Sequence, residues 1–312
     1  MAGYLRQFRR STTQLIIRGA IRATGALSLN SQIASVKRLV ALERLVPALR
    51  CRVREHMCLA LGDQVSVGAE RRYFQHVGWY LANALATYHR GLAATPAVNE
   101  VIFDDTLKVM DDAFAEGRGV VLTSPHWVGH ELAAAVIARR HPMVMLVRQA
   151  PTAERTARKE KWYRALGAET VLRPAHAPAL DDAMAYLRAL RNRKVLAITP
   201  DLLADSDHGI EATIFGRPAR INGGAFVLAM GARAPMIRVS CVWQPDKRAL
   251  VTCERVLLPH FGDREAAVRA GVQEWCVWFE DKLRAHPENW LFWLDRRWGR
   301  FLRETPRSAQ SK

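Results

Sequence analysis

Paired cysteines are absent from this 312-residue chain: Cys51, Cys58, Cys241, Cys253 and Cys276 are odd in number, scattered and never spaced as CxxC. Neither a disulfide framework nor a zinc ribbon is supported, and a reducing compartment fits best. Long apolar runs are missing too. The longest charge-free stretches near the N-terminus, residues 11–17 and 23–36, fall short of the roughly 20 residues a membrane span needs. Arg18 and Arg22 interrupt any signal-peptide centre. Acidic residues are scarce in the first sixth of the chain, where ten Arg and one Lys in residues 1–54 face only Glu43. The G-x-S-x-G elbow of serine hydrolases and the HExxH helix of zinc proteases are also lacking, so neither chemistry is expected.

What is present is an ordinary globular composition, 49% apolar and 24% charged, in a chain long enough to bury a core without disulfides. The net charge of +16 is concentrated at the N-terminus. Such a block reads as a nucleic-acid arm, as a surface seeking anionic lipid, or as a solvated Arg-rich helical face. No nucleic-acid module accompanies it, so nucleic acid is not an expected partner. Leu15, Ile16, Gly19 and Ala20 share a helical face beside Arg18 and Arg22, as in a helix lying flat among lipid headgroups. An anionic membrane surface is therefore the favoured partner of this region.

Periodicity divides the chain into a basic helical region over 1–96, an α/β domain over 97–302 and a short tail over 303–312. Apolar residues recur at helical spacing from Arg38 to about Leu61, with Pro47 as a break, and again over Ala69–Arg90. The aromatic content of that second helix fits core packing better than an acyl-chain wall. After Pro96, helical stretches at 104–116, 129–139, 153–166, 179–191, 223–230 and 264–284 alternate with short apolar runs. These runs, at 119–123, 143–147, 169–172, 195–199, 212–215, 236–243 and 249–256, read as strands. The pattern predicts an α/β fold with a mostly parallel central sheet flanked by helices. In such sheets, reactive groups gather at the carboxyl ends of the strands.

GVVLTSPHWVGHELAAAVIARR reads as strand, turn and helix, with His126 in the turn and Glu131 in the first helical turn. On one regular helix, five residues would turn the two about 140° apart. They can pair only if His126 stays off the helix, as Pro125 and Gly129 permit. A carboxylate on one imidazole nitrogen fixes the tautomer and leaves the other as a base for a hydroxyl nucleophile. His126 and His130 are i, i+4, so a metal site with Glu131 is conceivable, but the HExxH order is absent and no further ligand is obvious. The Asp205-x-Asp207-x-Gly209 segment lacks the distal Glu of a calcium loop. Neither metal nor cofactor is expected.

SPHWVGHE resembles the H-x4-D/E block of the glycerolipid acyltransferase superfamily. Its Glu version and the chain length resemble the lipid A biosynthesis (late) acyltransferases, the lauroyl/myristoyl transferase family. Later segments agree in order: MLVRQA with Arg148, then the Asp201 loop, Phe215-Gly216 and a Gly-rich turn into a helix, and finally HPENWLFWLDRRWGR. The resemblance covers roughly residues 35–302. It implies a glycerol-3-phosphate-acyltransferase-like fold and transfer of a fatty acyl group from acyl-carrier protein or acyl-CoA. The acceptor would be a lipid or glycolipid hydroxyl (a lipid A precursor, a phosphoinositide mannoside or a natural product), and the setting the cytoplasmic face of the cell's inner membrane.

The individual residues have physical readings as well. Arg148 is either a fixed cation for a phosphate or oxyanion, or a strand-end salt bridge. Asp201 would hold Arg148 or a polar group of the substrate. Arg217 and Arg220 could bind phosphate, and Asn222 with Gly223 opens a helix whose N–H groups could take an anion. Trp290, Trp293 and Trp298 beside Arg296 and Arg297 fit an interfacial belt and a packed core equally. The chain departs from the family pattern in lacking the apolar N-terminal span common there.

Overall fold

The computed structural model describes residue 19 and residues 22–91, 102–173, 179–204, 209–258 and 263–305. The amphipathic stretch expected around Leu15–Ala20, the Asp205–Asp207 segment and most of the C-terminal tail lie outside the described residues. An N-terminal helical region comprises α1 (Leu29–Ala41), α2 (Pro47–Leu61) and α3 (Ala69–Arg90). Pro47 occupies the first turn of α2, where its missing N–H costs nothing, so the expected break falls there, and the 3-10 turn Leu42–Leu45 joins α1 to α2. Ser28 starts α1 by accepting a hydrogen bond from the Ser31 N–H.

The α/β part contains strands β1 (Ile102–Asp104), β2 (Val120–Thr123), β3 (Met143–Arg148), β4 (Glu169–Arg173) and β5 (Val195–Ile198). These are followed by β6 (Ile210–Ile214), β7 (Arg217–Ile221), β8 (Met236–Trp243) and β9 (Ala249–Val256). Its helices are α4 (Leu107–Ala115), α5 (His130–Ala138), α6 (Ala153–Ala165), α7 (Ala179–Arg191), α8 (Gly224–Ala232), α9 (Arg264–Ala285) and α10 (Arg296–Glu304). Seven strands form one sheet in the order β1-β9-β8-β2-β5-β3-β4, and β6 with β7 forms a separate hairpin.

Every pairing in the large sheet is parallel except β8 with β9. That exception follows from chain length: only Gln244–Arg248 joins the two strands, too short for a parallel crossover of a dozen residues. Right-handed crossovers dictate the layers. The chain steps from β2 through α5 to β3 and through α6 to β4, then reverses through α7 to β5 and through α8 to β8. Helices of the outward run and of the return run must therefore cover opposite faces. In agreement, α8 packs on α7 and α9, whereas α6 packs on α3 and contacts α5 through Tyr163 and Glu131.

β2 and β5 are buried on both faces, which explains their unbroken apolar runs. β2 lies at the reversal of strand order, the place where crevices open beyond the strands' carboxyl ends. β7 was not foreseen as a strand. It pairs with β6 across the two-residue turn Phe215-Gly216, where both residues have positive φ (53° and 68°), the geometry that closes tight hairpins. Phe215 is buried against Phe279, Trp290 and Trp298, which anchors that strained turn.

Candidate active site

β2 and β5 run in parallel with Val120 opposite Val195, an offset of 75 residues. Each strand leaves the sheet through a proline, in Thr123-Ser124-Pro125-His126 and in Thr199-Pro200-Asp201. Carried past the strand ends, the same offset sets His126 opposite Asp201. Their side chains meet there: His126 Nδ1 lies 2.7 Å from Asp201 Oδ1, and the His126 backbone N–H donates to Oδ2 at 2.8 Å. The carboxylate is fully buried, and the imidazole is 21% exposed. Trp290 adds an indole N–H to Asp201 Oδ2 at 2.8 Å, and Trp298 donates to the Asp201 carbonyl at 3.0 Å.

Asp201 therefore occupies the position expected of Glu131. Its buried carboxylate is engaged by His126 and Trp290, so it turns no open face toward substrate. Glu131 sits in the first turn of α5, as foreseen, but its carboxylate accepts from the hydroxyls of Tyr80 on α3 and Tyr163 on α6, the latter at 3.3 Å. Both phenols are pushed up in pKa, first by burial and then by the Glu131 charge. His130 points Nδ1 at the Trp127 carbonyl at 2.9 Å, and burial lowers its pKa.

Burial would lower the pKa of His126, but Asp201, through charge and hydrogen bond, outweighs it, with smaller help from Glu131 and Asp295. The net shift is upward. Burial would likewise raise Asp201, and the donors from His126 and Trp290 overcome it, leaving that pKa below the ordinary carboxylate value. A carboxylate paired in this way directs the Nδ1 proton toward itself, and Nε2 is left as the basic nitrogen.

The His126 turn is backed by the C-terminal segment. Val128 N–H donates to the Asn289 carbonyl at 2.6 Å, Leu291 N–H donates to the His126 carbonyl at 2.9 Å, and Trp127 bridges Trp290 in antiparallel fashion. Phe292 covers the imidazole, with ring centroids 4.3 Å apart. Trp290, Trp293 and Trp298 are all but fully buried, so this block is packed core rather than an interfacial belt. Gly129 has φ +108°, and a Cβ there would stand 3.1 Å from Cys241 Sγ, so only glycine lets the chain turn from His126 into α5.

The remaining expected residues are distributed unevenly. Arg148 ends β3, at the same sheet edge as His126 and Asp201; its side chain lies outside the described residues. Arg217 does not reach the site as a phosphate ligand. It is buried in β7 and donates to the Thr305 and Phe215 carbonyls at 2.8 and 2.9 Å, a structural use of its guanidinium. Arg220, on the exposed side of the hairpin, pairs with Glu211 at 2.9 Å. Asn222 ties α8's approach to the Asp201 loop through the Leu202 carbonyl at 2.8 Å. Gly223 caps α8 where a Cβ would strike Ile210 at 2.5 Å.

Next to Glu131, α3 and α6 bound a cleft of about 330 Å³. Leu81, Ala84, Leu85 and Trp162 give it an apolar wall, and Glu131, Tyr80, Arg155, Arg158 and Lys159 supply its polar lining. An apolar slot with a few polar groups suits a chain-like ligand that carries a polar head.

No curated protein matches the chain. The family model for bacterial lipid A biosynthesis acyltransferases matches residues 97–300, from just before β1 into α10. With that match added to the sheet and its His–Asp pair, the chain belongs to the bacterial lipid A biosynthesis acyltransferase family and is an acyltransferase acting on lipid.

Proposed function

We propose that this enzyme moves a fatty acyl group from an acyl-carrier-protein or acyl-CoA thioester to a hydroxyl of a lipid or glycolipid acceptor, with His126 as the general base. The observation that carries the reading is the 2.7 Å contact between His126 Nδ1 and buried Asp201 at the mouth of the sheet. His126 Nε2 takes the acceptor's proton as that oxygen attacks the thioester carbonyl. Asp201 stabilises the resulting imidazolium and fixes the ring. The tetrahedral intermediate collapses with cleavage of the carbon–sulfur bond, and the imidazolium returns its proton to the departing thiolate. Glu131 contributes negative charge that favours the imidazolium from its seat between Tyr80 and Tyr163. Arg148, at the edge of the same sheet, is a candidate cation for the developing oxyanion.

The cleft between α3 and α6 would hold the acyl chain, which makes the apolar face of α3 part wall and part core. A lipid A precursor is the leading acceptor; a phosphoinositide mannoside or a natural-product acceptor is the alternative. The reaction is proposed for the cytoplasmic face of the inner membrane with the protein bound peripherally. Among the described residues, no helix is long and apolar enough to cross a membrane.

Mass spectrometry of products formed from an acyl thioester, with and without candidate lipids, tests the reading. An acylated lipid made by the wild type and lost in a folded His126→Ala variant is the expected result. Free fatty acid as the sole product would identify a thioesterase instead.

A further inference from the structure

The corner where α1 passes through the 3-10 turn into α2 exposes a row of large apolar side chains. Leu39, Leu42, Leu45 and Val46 are 60%, 53%, 77% and 46% exposed. Helical and 3-10 spacing bring residues i and i+3 to one side, so the three leucines form a ridge rather than isolated exposed groups. Immediately behind it lies a cavity of about 520 Å³ bounded by α1, α2 and α3. Phe74 and Trp79 contribute apolar lining, and Lys37, Arg44, Arg50 and Arg71 contribute cations. Among the described residues, Glu43 answers Arg50 alone, through a two-pronged pair at 2.5 and 2.7 Å. The lining is left strongly positive.

We propose that this corner docks on an anionic lipid bilayer, with the leucine ridge entering the apolar region and the cavity receiving a lipid phosphate on Lys37, Arg44 and Arg71. Amphipathic membrane contacts have this composition, apolar side chains flanked by cations. The charge of the cavity selects the partner, because an uncharged apolar surface would gain nothing from the cations. Lys37 already has its pKa lowered by burial and by Lys247, a crowding of positive charge that a bound phosphate would relieve. The face of α3 that lines the cavity at Arg71, Phe74 and Gly78 continues at helical spacing to Leu81, Leu85 and Tyr88 of the catalytic cleft. At 1.5 Å per residue, Gly78 and Leu85 are about 10 Å apart along the axis. A membrane held at this corner would therefore present its lipids close to the cleft. The choice of partner rests on the proposed reaction; the surface itself does not.

Sedimentation of the full-length protein with phosphatidylcholine vesicles, with and without phosphatidylglycerol, tests the proposal without turnover. The wild type should sediment with the anionic vesicles and be released by salt. Leu42→Glu/Leu45→Glu and, separately, Arg44→Gln/Arg71→Gln should each weaken that binding on the order of tenfold. All four side chains are exposed, so thermal melting should stay near wild type. Wild-type vesicle binding by both variants would overturn the proposal. So would loss of self-association by the leucine variant, or loss of binding to an acidic carrier protein by the arginine variant, if vesicle binding persisted. Failure of the acyl-transfer reading would show instead as an absent ester product with vesicle binding intact.

Discussion

Replacing Asp201 by Asn keeps its shape and removes its charge, which isolates its electrostatic role. That variant should lose on the order of 10²- to 10⁴-fold in turnover, the usual range for a disabled acid–base group. The same pair couples protonation to stability, and the signs follow from the two shifts. His126, with its pKa raised on folding, contributes stability that is present below its unfolded pKa of about 6.5 and lost as pH rises through the folded value. Asp201, with its pKa depressed, contributes stability that is present above about 3.9 and lost as pH falls through its folded value. Denaturant titrations of wild type and Asp201→Asn across pH should therefore diverge least at strongly acidic pH. Tyr80→Phe removes a hydroxyl from Glu131 and should cost about 1–3 kcal/mol in chemical denaturation. His126 stood out in the sequence because its strand–turn–helix setting coincides with the H-x4-E block and with the later segments that follow it in order. The carboxylate bonded to it was sought in Glu131 because the H-x4-E spacing points to a neighbour in sequence. The carboxylate that bonds His126 is 75 residues away and becomes visible only through strand register. The repeated Thr-(Ser)-Pro exits of β2 and β5 were the available signal. Tyr80, Tyr163, Trp290 and Trp298 left none, since nothing local to them marks which hydroxyl or indole will face a carboxylate.

The elements themselves were read more easily than their company. α3, α7, β8 and β9 fall within the limits that periodicity drew, because each has a buried stripe bounded by turn residues or charge. β1 and β7 are short, and Arg217–Ile221 carries a proline and two arginines, so pattern alone gave no strand there. The antiparallel turn of β9 depends on connection length rather than on its own composition. Structure also gives the Trp-rich block its role: the segment from Pro287 to Leu294 is the surface on which the His126 turn is moulded. Trp290→Phe keeps most of that packing but withdraws one donor from Asp201, so turnover should fall before thermal stability does. Gly129→Ala forces an L-residue to positive φ against Cys241 and should destabilise by about 1–3 kcal/mol, measured by chemical denaturation, with loss of activity from a displaced His126.

At the scale of the whole molecule, the sheet's reversal of strand order at β2 brings the ends of β2, β5 and β3 to one edge, and the N-terminal helices roof that edge through α3. α3 is thus shared between the cleft proposed for the acyl chain, the clamp on Glu131 and the basic cavity behind the exposed corner. The excess of arginine near the N-terminus contributes to that cavity through Arg44 and Arg50 rather than forming only a solvated face. The measurement that bears most directly on the whole arrangement is the pH dependence of acyl transfer in wild type, Asp201→Asn and Glu131→Gln. Because the base must be neutral, the wild-type acid limb should lie above the ordinary histidine pKa. Asp201→Asn should move that limb to lower pH and reduce the plateau far more than Glu131→Gln does. A wild-type limb and plateau in folded Asp201→Asn, with the whole loss carried by Glu131→Gln, would contradict the account.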